Sequence, residues 1–248
     1  MHYNYIHFDE IDSTNNYFKN CYQLLDNFTF VSADYQSNGK GRNDRVWESN
    51  KGDNLMFSFL IKEKPLIDIS PLLSIMTAVE VAKLLESYQI DNVSIKWPND
   101  VLINDKKVCG ILLEGQLPNY VVIGVGLNVN QKEFPTNLRR PATSLSNELQ
   151  KEIDIESLKE KLFSSIVNNF SKLDKEQYLV YFNKNNYLLG KRVRVNINQQ
   201  DFIGEVVGVD QNFNLQILTH DILLHVDSGE IEILWTKKAT SLNSLSYF

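Results

Sequence analysis

The sequence predicts an α+β protein with a mixed sheet and flanking helices, followed by a small β-barrel. Up to about Tyr187, β-branched and aromatic runs alternate with amphipathic helical stretches. From Gly190 onward, only short alternating runs separated by turns occur. A chain of 248 residues is long enough for one sizeable domain and a small one. We therefore expect a larger domain over residues 1–187 and a smaller one over 188–248.

The N-terminal part is predicted to form an opening strand, a helix and two more strands. The helix starts at Ser13, with Asp12 or Ser13 placed to cap its first amides. Residues 28–35 and 54–61 have the composition of strands. The polar, glycine-containing segment 36–53 between them is long enough to be a functional loop.

The middle of the chain is predicted to be one long helix followed by a sheet. Ser70 and Pro71 signal the helix start, and an apolar stripe continues to Tyr88. Strands are then predicted at 93–96, 101–103, 107–114 and 120–130, with a hairpin turn at residues 104–105.

The C-terminal third changes from helical to strand patterning. Residues 155–187 have helical spacing, as two helices divided near Asp174 or Tyr181. The short runs that follow predict a barrel of about 50 residues. Its turns are expected at 198, 210–211 and 228–229, and its last run ends at Trp235.

Composition and charge narrow the classes of function. The formal net charge of −6 provides no general attraction to nucleic acid or anionic lipid. Cys21 and Cys109 are the two cysteines and lack metal-site spacing, so we interpret them as free, buried thiols. No secretory signal or transmembrane stretch is present, and we therefore expect a cytoplasmic protein without a membrane partner.

The segment GKGRNDRVW, residues 39–47, combines two glycines with three cations and a large aromatic residue. Glycines let backbone amides approach an anion, and fixed cations offset the repulsion between two anionic reactants. The segment matches neither the Walker P-loop nor the Rossmann fingerprint. On its own it is equally compatible with a solvated basic turn.

Four separated segments, in the same order, resemble the catalytic domain of biotin–protein ligases. They are DSTNN at 12–16, YQSNGKGRNDRVW at 35–47, KWPNDVLINDKKVCGILLE at 96–114 and VIGVGLNVN at 122–130. With the small C-terminal barrel, the resemblance covers nearly the whole chain. The third and fourth segments together are the most specific.

The resemblance implies a class II synthetase-like catalytic domain followed by an SH3-like barrel. It also implies a reaction in which biotin and magnesium-ATP form biotinyl-adenylate, which then passes biotin to a lysine of a carrier protein. The expected partner is a biotin carboxyl carrier domain, as in acetyl-CoA carboxylase. Members of the family are monomers or homodimers, and the sequence does not distinguish these states.

The resemblance also assigns a biotin site. Hydroxyl and amide groups face the neutral ring, glycines permit close approach, and cations meet the carboxylate. The biotin-binding residues are Ser13, Thr14, Asn15, Gln36, Gly39, Lys40, Arg42, Lys107, Gly110 and Gly124. Lys40 stands where arginine is common in the family and lacks the planar fork of a guanidinium.

ATP and the adenylate are expected to contact a second, overlapping set. Trp47 matches the aromatic residue that covers adenine. The full set is Lys40, Arg42, Arg45, Trp47, Asn99, Asp100, Lys107 and Asn128, of which Lys107, Arg42 and Asp100 are the catalytic candidates. Without the resemblance, Lys107 would be interpreted as a solvated hairpin lysine. Lys106, on the opposite face of the strand, is expected to point elsewhere.

Asp100 has three candidate roles in this interpretation. It holds Arg42, binds a magnesium ion, or accepts a proton from the incoming lysine amine. A turn-forming residue is the structural alternative. Cys109 is expected to pack and not to act as a nucleophile.

Three other functions fit the sequence less well. Lipoate ligases share the fold, and octanoyl transferases use a dedicated cysteine or lysine without ATP, but the glycine loop and KWPND match the biotin branch. About a dozen residues precede Ser13, too few for a winged-helix DNA-binding domain. The stretch 201–232 is acidic, which disfavours nucleic acid. Arg42, Trp47 and Lys107 serve ATP, which argues against a non-catalytic biotin-binding module.

Overall fold

The computed structural model describes residues 3–43 and 45–234. These residues form two compact units. The first comprises residues 3–187 together with 211–213, and the second comprises 188–210 and 214–234. Trp235, at the end of the last predicted run, and the rest of the predicted C-terminal domain after it lie outside the described residues.

A seven-stranded sheet forms the centre of the first unit. In chain order its strands are β1 (Asn4–Phe8), β2 (Thr29–Ala33), β3 (Asn54–Ile61), β4 (Val93–Lys96), β5 (Asp100–Ile103), β6 (Lys106–Gln116) and β7 (Tyr120–Asn128). The spatial order is β1-β2-β3-β7-β6-β5-β4. β1 and β2 are parallel and all other neighbours are antiparallel, so the predicted mixed sheet is confirmed.

The helices of this unit are α1 (Thr14–Cys21), α2 (Lys64–Ile67), α3 (Ser70–Ser87), α4 (Leu145–Leu149), α5 (Ile155–Phe170) and α6 (Lys175–Lys184). The break in the predicted C-terminal helical stretch falls at Asp174, whose carboxylate accepts from the amide of Gln177 and caps α6. α2 and α4 were not predicted, because one turn of helix leaves too little sequence for periodicity to be visible.

The two faces of the sheet bury different clusters. Because side chains alternate along a strand, Phe57 and Phe59 of β3 share one face, where Phe163 of α5 stacks against Phe30. On the other face, Phe18 of α1 packs in a buried cluster of Val31, Leu60, Tyr120 and Val122. α1 and α5 therefore cover opposite faces, and the functional residues lie on the α1 side.

The second unit contains a five-stranded antiparallel sheet among its described residues. Its strands are β8 (Arg192–Ile197), β9 (Gln200–Val209), β10 (Leu215–Leu218), β11 (Leu223–Val226) and β12 (Ile231–Ile233), in the order β11-β10-β9-β8-β12. The predicted all-β unit is confirmed. Among the described residues β11 and β12 are the outer strands and no pairing joins them, so closure into a barrel stays a prediction. In the described part of the chain, no helix has the length and apolarity needed to cross a membrane.

Candidate active site

A pocket opens on the α1 face of the sheet, between the start of α1, the glycine loop, β6 and β7. Its wall combines neutral polar groups, cations and exposed backbone. The lining residues are Ser13, Thr14, Asn15, Gln36, Lys40, Gly41, Arg42, Trp47, Phe57, Asn99, Lys107, Gly110, Ile111, Leu112, Gly124, Val125 and Gly126. Eleven of these were predicted site residues. The structure therefore brings four separated segments to one place.

The start of α1 supplies the neutral polar wall. Ser13 is the N-cap residue, but its side chain makes no cap hydrogen bond, so the predicted hydroxyl cap was wrong. The amide of Thr14 donates instead to Oε1 of Gln36 at 2.8 Å, which satisfies one of the free amides at the helix start. Ser13 is buried at 2% exposure and is one of the residues that line the pocket.

A chain of polar contacts continues from Gln36 into the sheet. Oγ1 of Thr14 lies 3.1 Å from Oε1 of Gln36 and 2.6 Å from Oγ of Ser58. Ser58 donates to Oδ1 of Asn15 at 2.5 Å. A Cβ atom at Gly124 would lie 2.4 Å from that same Oδ1, so only glycine lets the Asn15 amide rest on β7.

Glu114 holds the other end of the Asn15 amide. Nδ2 of Asn15 donates to Glu114 at 2.8 Å, and Lys19 donates to its second oxygen at 2.8 Å. Burial by itself raises the pKa of Glu114, but the hydrogen bonds from Lys19 and Asn15 outweigh it and leave the pKa below its ordinary value. Glu114 is therefore ionised at neutral pH.

Trp47 lies flat on a glycine pair. Gly110 and Gly126 are cross-strand partners of β6 and β7. A Cβ atom added at Gly110 would lie 2.9 Å from the Trp47 indole, and one added at Gly126 would lie 2.4 Å from it. The indole N–H is buried without a hydrogen-bond partner among the described residues. The ring thus forms a wall of the pocket and offers an unused donor.

The glycine loop is folded by its own backbone. The amide of Gly41 donates to the carbonyl of Arg45 at 2.7 Å, and that of Trp47 donates to Gly39 at 3.0 Å. Gly39 is buried, and a Cβ there would lie 2.8 Å from the carbonyl of Trp47. Its role is therefore to let the two arms of the loop pair closely.

Lys107 and Asp100 form an ion pair on neighbouring strands, with Nζ to Oδ1 at 2.7 Å. Val101 pairs with Cys109 but Leu102 pairs with Lys107, so Val108 is an extra residue in β6. This bulge turns Lys107 towards the side of the sheet that carries Gly110. Lys106 pairs with Glu148 at 3.3 Å, and the prediction that it points away from Lys107 is confirmed.

The remaining cations reach the pocket from the glycine loop. Arg42 donates to Oδ1 of Asn99 at 3.2 Å, and Asn99 donates to the carbonyl of Ile111 at 2.8 Å. Lys40 is exposed and donates to Oδ1 of Asn16 at 3.0 Å. With Lys107, these residues bring three cations to the pocket lining. Arg42 and Lys107 contact the adjacent residues Asn99 and Asp100, whereas Lys40 contacts α1.

Four predicted site residues are not among those lining the pocket: Gly39, Arg45, Asp100 and Asn128. The carboxylate of Asp100 contacts the ammonium group of Lys107. Arg45 is exposed on the loop. Asn128 is buried and donates to the carbonyl of Thr143 at 3.0 Å, so its amide fixes the segment that follows β7.

Sequence reasoning did not single out Ser58, Glu114 or Gly126. Ser58 interrupts an otherwise apolar strand, and Gly126 lies inside a quoted segment, so both carried a signal. Glu114 ends the third segment, but its partner Asn15 lies 99 positions away, and such a contact is invisible in the sequence.

Magnesium could be held here only in part by the protein. Both carboxylates beside the pocket, Asp100 and Glu114, are engaged by lysines. Magnesium usually keeps several waters and binds one or two carboxylates plus substrate phosphates. The one described group of three metal-type side chains, His7, Asp9 and Asp34, is not part of the pocket lining. The donor set fits an ion that arrives with a polyphosphate, beside Asp100.

The two cysteines are free, but only Cys109 is buried, so the prediction of two buried thiols was wrong for Cys21. Burial raises the pKa of the Cys109 thiol far above its usual range. A thiol in that state is a poor nucleophile, which agrees with a packing role.

Comparisons with known proteins agree with this geometry. Residues 7–128 match the Biotin/lipoate A/B protein ligase family. The chain is 32% identical over 245 residues to the bifunctional ligase/repressor BirA of Bacillus spizizenii, covering 92% of this chain and 73% of that protein. Its structure resembles that of a biotin protein ligase from Aquifex aeolicus in complex with biotin and ATP. The TM-score is 0.81 at 29% identity, over 94% of this chain and 99% of that chain.

Part of this chain is also similar in sequence to a biotin–[acetyl-CoA-carboxylase] ligase of Mycobacterium tuberculosis. The two are 32% identical over 120 residues, which covers 46% of this chain and 43% of that protein. Sequence, fold and pocket lead to the same conclusion: this chain belongs to the biotin/lipoate protein ligase family, among the biotin–protein ligases.

Proposed function

We propose that this protein is an ATP-dependent ligase that converts biotin to biotinyl-5'-AMP and then transfers biotin to a lysine of a biotin carboxyl carrier domain. The observation that carries the proposal is the division of the pocket. Ser13, Thr14, Asn15 and Gln36 form a neutral hydrogen-bonding end, and Arg42 and Lys107, held by the adjacent Asn99 and Asp100, form a cationic end. A ligand with a neutral polar ring and a carboxylate that meets a phosphate fits both ends.

In the first step, a carboxylate oxygen of biotin attacks the α-phosphorus of ATP, and the bond to the bridging oxygen of pyrophosphate breaks. Both reactants are anionic, so the fixed cations Lys107 and Arg42 lower their repulsion. Asp100 orients the Lys107 ammonium at 2.7 Å, and Asn99 orients Arg42 at 3.2 Å. These contacts hold both cations in place before the substrates bind.

In the second step, the lysine amine of the carrier attacks the carbonyl carbon of the anhydride. The carbonyl–oxygen bond breaks, AMP leaves with the electron pair, and the amine loses a proton. Lys107 remains beside the departing phosphate, and Asp100, whose carboxylate contacts Lys107, is the candidate to accept the proton of the amine. Trp47 on its glycine pair would offer its face to adenine, and the loop 36–53 would close over the anhydride and keep water out.

We also infer the metal ion, the carrier protein, the location and the oligomeric state. Magnesium would arrive with ATP near Asp100, held by phosphate oxygens and water, and would neutralise the phosphates. The carrier belongs to a biotin-dependent carboxylase such as acetyl-CoA carboxylase, and the protein acts in the cytoplasm as a monomer or homodimer. DNA is not an expected partner of the second unit, because residues 201–232 hold seven acidic residues and no lysine or arginine.

The test is biotin-dependent release of pyrophosphate from magnesium-ATP, with lipoate and octanoate as controls. A carrier domain with its target lysine is then added. Release with biotin alone, followed by biotin on the carrier, supports the proposal. Activity with lipoate alone would place the protein with the lipoate ligases. If none of the three acids causes pyrophosphate release but biotin binds tightly, the protein is a binding module.

A further inference from the structure

Glu114 does not line the pocket but binds the side chain of Asn15, which does. Its two carboxylate oxygens accept from Nδ2 of Asn15 and from Nζ of Lys19, both at 2.8 Å. An ionised carboxylate has no hydrogen to donate. The Asn15 amide therefore has one stable orientation, with Nδ2 towards Glu114 and Oδ1 towards Ser58 and Gly124.

This orientation determines where each hydroxyl hydrogen goes. Three oxygen–oxygen contacts join Asn15, Ser58, Thr14 and Gln36, at 2.5, 2.6 and 3.1 Å. Both ends of this chain are carbonyl oxygens, and the two hydroxyls supply one hydrogen each. One of the three contacts must therefore lack a hydrogen.

The longest contact is the one that lacks it. Two oxygens only 2.6 Å apart need a hydrogen between them, so the Thr14 hydrogen lies in the contact with Ser58. Oε1 of Gln36 still accepts from the amide of Thr14 at 2.8 Å. Ser58 then donates to Asn15, and Thr14 donates to Ser58. Lone pairs remain on Oγ1 of Thr14 and on Oδ1 of Asn15. Both residues line the pocket, so this wall presents acceptors to a ligand.

We propose that Glu114 is a positioning residue that gives this end of the pocket its acceptor polarity and thereby selects a ligand ring that carries N–H groups. The inference rests on the proposed function, in which the ligand ring is a cyclic urea. The dithiolane ring of lipoate has no N–H group and leaves these acceptors unpaired. Glu114 thus determines specificity through Asn15 without touching the ligand.

Glu114→Gln tests the inference, because a glutamine amide can donate or accept and no longer imposes one orientation on Asn15. We expect the Kd for biotin, measured by calorimetry, to rise about 10- to 100-fold, because a flipped Asn15 amide would point N–H groups at the N–H groups of the biotin ring. The KM for biotin should rise likewise, whereas kcat at saturating biotin stays within about twofold, since the cations are untouched. The Kd for lipoate, measured by competition, should change by less than about twofold.

Glu232→Gln is the matched control, since it removes a carboxylate from an ion pair with Arg194 at 2.9 Å in the second unit. It should bind biotin as the wild type does. Asn15→Ala should lower the affinity for biotin as much as Glu114→Gln does. The double variant should bind biotin no more weakly than either single variant, since Glu114 acts through Asn15. If Glu114→Gln does not fold, Asn15→Ala still has to reduce the preference for biotin over lipoate.

Two results would overturn the inference while leaving the proposed function intact: wild-type affinity of Glu114→Gln for biotin, or equal weakening of biotin and lipoate. The second would mean that Glu114 only supports the fold. Failure of the wild-type protein to bind biotin in the calorimeter would instead remove the proposed function and the inference with it.

Discussion

The ammonium group of Lys107 lies 2.7 Å from the carboxylate of Asp100, and a bulge at Val108 makes this contact possible. In a regular strand, Lys107 and Gly110 would lie on opposite faces, because three positions separate them. The extra residue brings both to the pocket side, where Lys107 also stands 5.4 Å from the centre of the Trp47 ring. The position of the principal cation therefore depends on one irregularity in β6.

Lys107→Met should lower the rate of adenylate formation by about 10²- to 10³-fold, because it removes a fixed charge from the site of in-line attack. Lys106→Met is the matched control, since Lys106 is exposed and pairs with Glu148, and it should stay within about twofold of wild type. Pyrophosphate release under single-turnover conditions measures both. Equal losses in the two variants would count against a specific role for Lys107.

Asp100→Ala should slow adenylate formation by about 10- to 100-fold, because the Lys107 ammonium loses the group that orients it. We expect the midpoint of a magnesium titration to stay unchanged, since the carboxylate of Asp100 is engaged with Lys107. Rates of both half-reactions are measured, the second with synthetic biotinyl-adenylate. Wild-type rates in both would remove Asp100 from the mechanism, and a raised magnesium midpoint would make it a metal ligand.

Gly126→Ala should destabilise the protein by about 1–3 kcal/mol, because its new Cβ would lie 2.4 Å from the Trp47 indole. In a Trp47→Ala background the same substitution should cost less than about 0.5 kcal/mol, since the clash is gone. Urea unfolding of the four proteins gives the coupling free energy. Strict additivity would contradict the packing of Trp47 on the glycine pair.

Lys96 should reduce stability at neutral pH. Burial and then the nearby Arg140 lower its pKa from 10.5 to about 8, so folding opposes its protonated form. Its contribution is therefore unfavourable below pH 8, and this cost disappears as the pH rises from about 8 to 10.5. Lys96→Met should raise the free energy of unfolding at pH 7 by roughly 1–3 kcal/mol.

That gain should shrink when unfolding is measured at pH 10. Lys64→Met is the control, since the Lys64 side chain is 80% exposed and should give no gain at either pH. A gain for Lys96→Met that is the same at pH 7 and pH 10 would show that packing, and not the charge, is responsible.

The elements with strong local patterns were predictable. The bounds of β3 and β4 are the predicted ones, and α3 ends one residue before the predicted end. An apolar run between turn residues and a stripe maintained over five turns are both visible without any partner. α2 and α4, with four and five residues, are too short to show such a period.

The sequence by itself determined which segments carry the chemistry, because residue types and their local order encode donors, cations and close backbone approach. It could not determine which face of a strand Lys107 occupies, because one unpaired residue reverses the alternation that such a prediction uses. Nor could it pair Asn15 with Glu114, since the 99 positions between them are bridged only when α1 packs across β3 and β7. Tertiary structure alone decided the direction of those two side chains, and with it the charge and the polarity of the pocket.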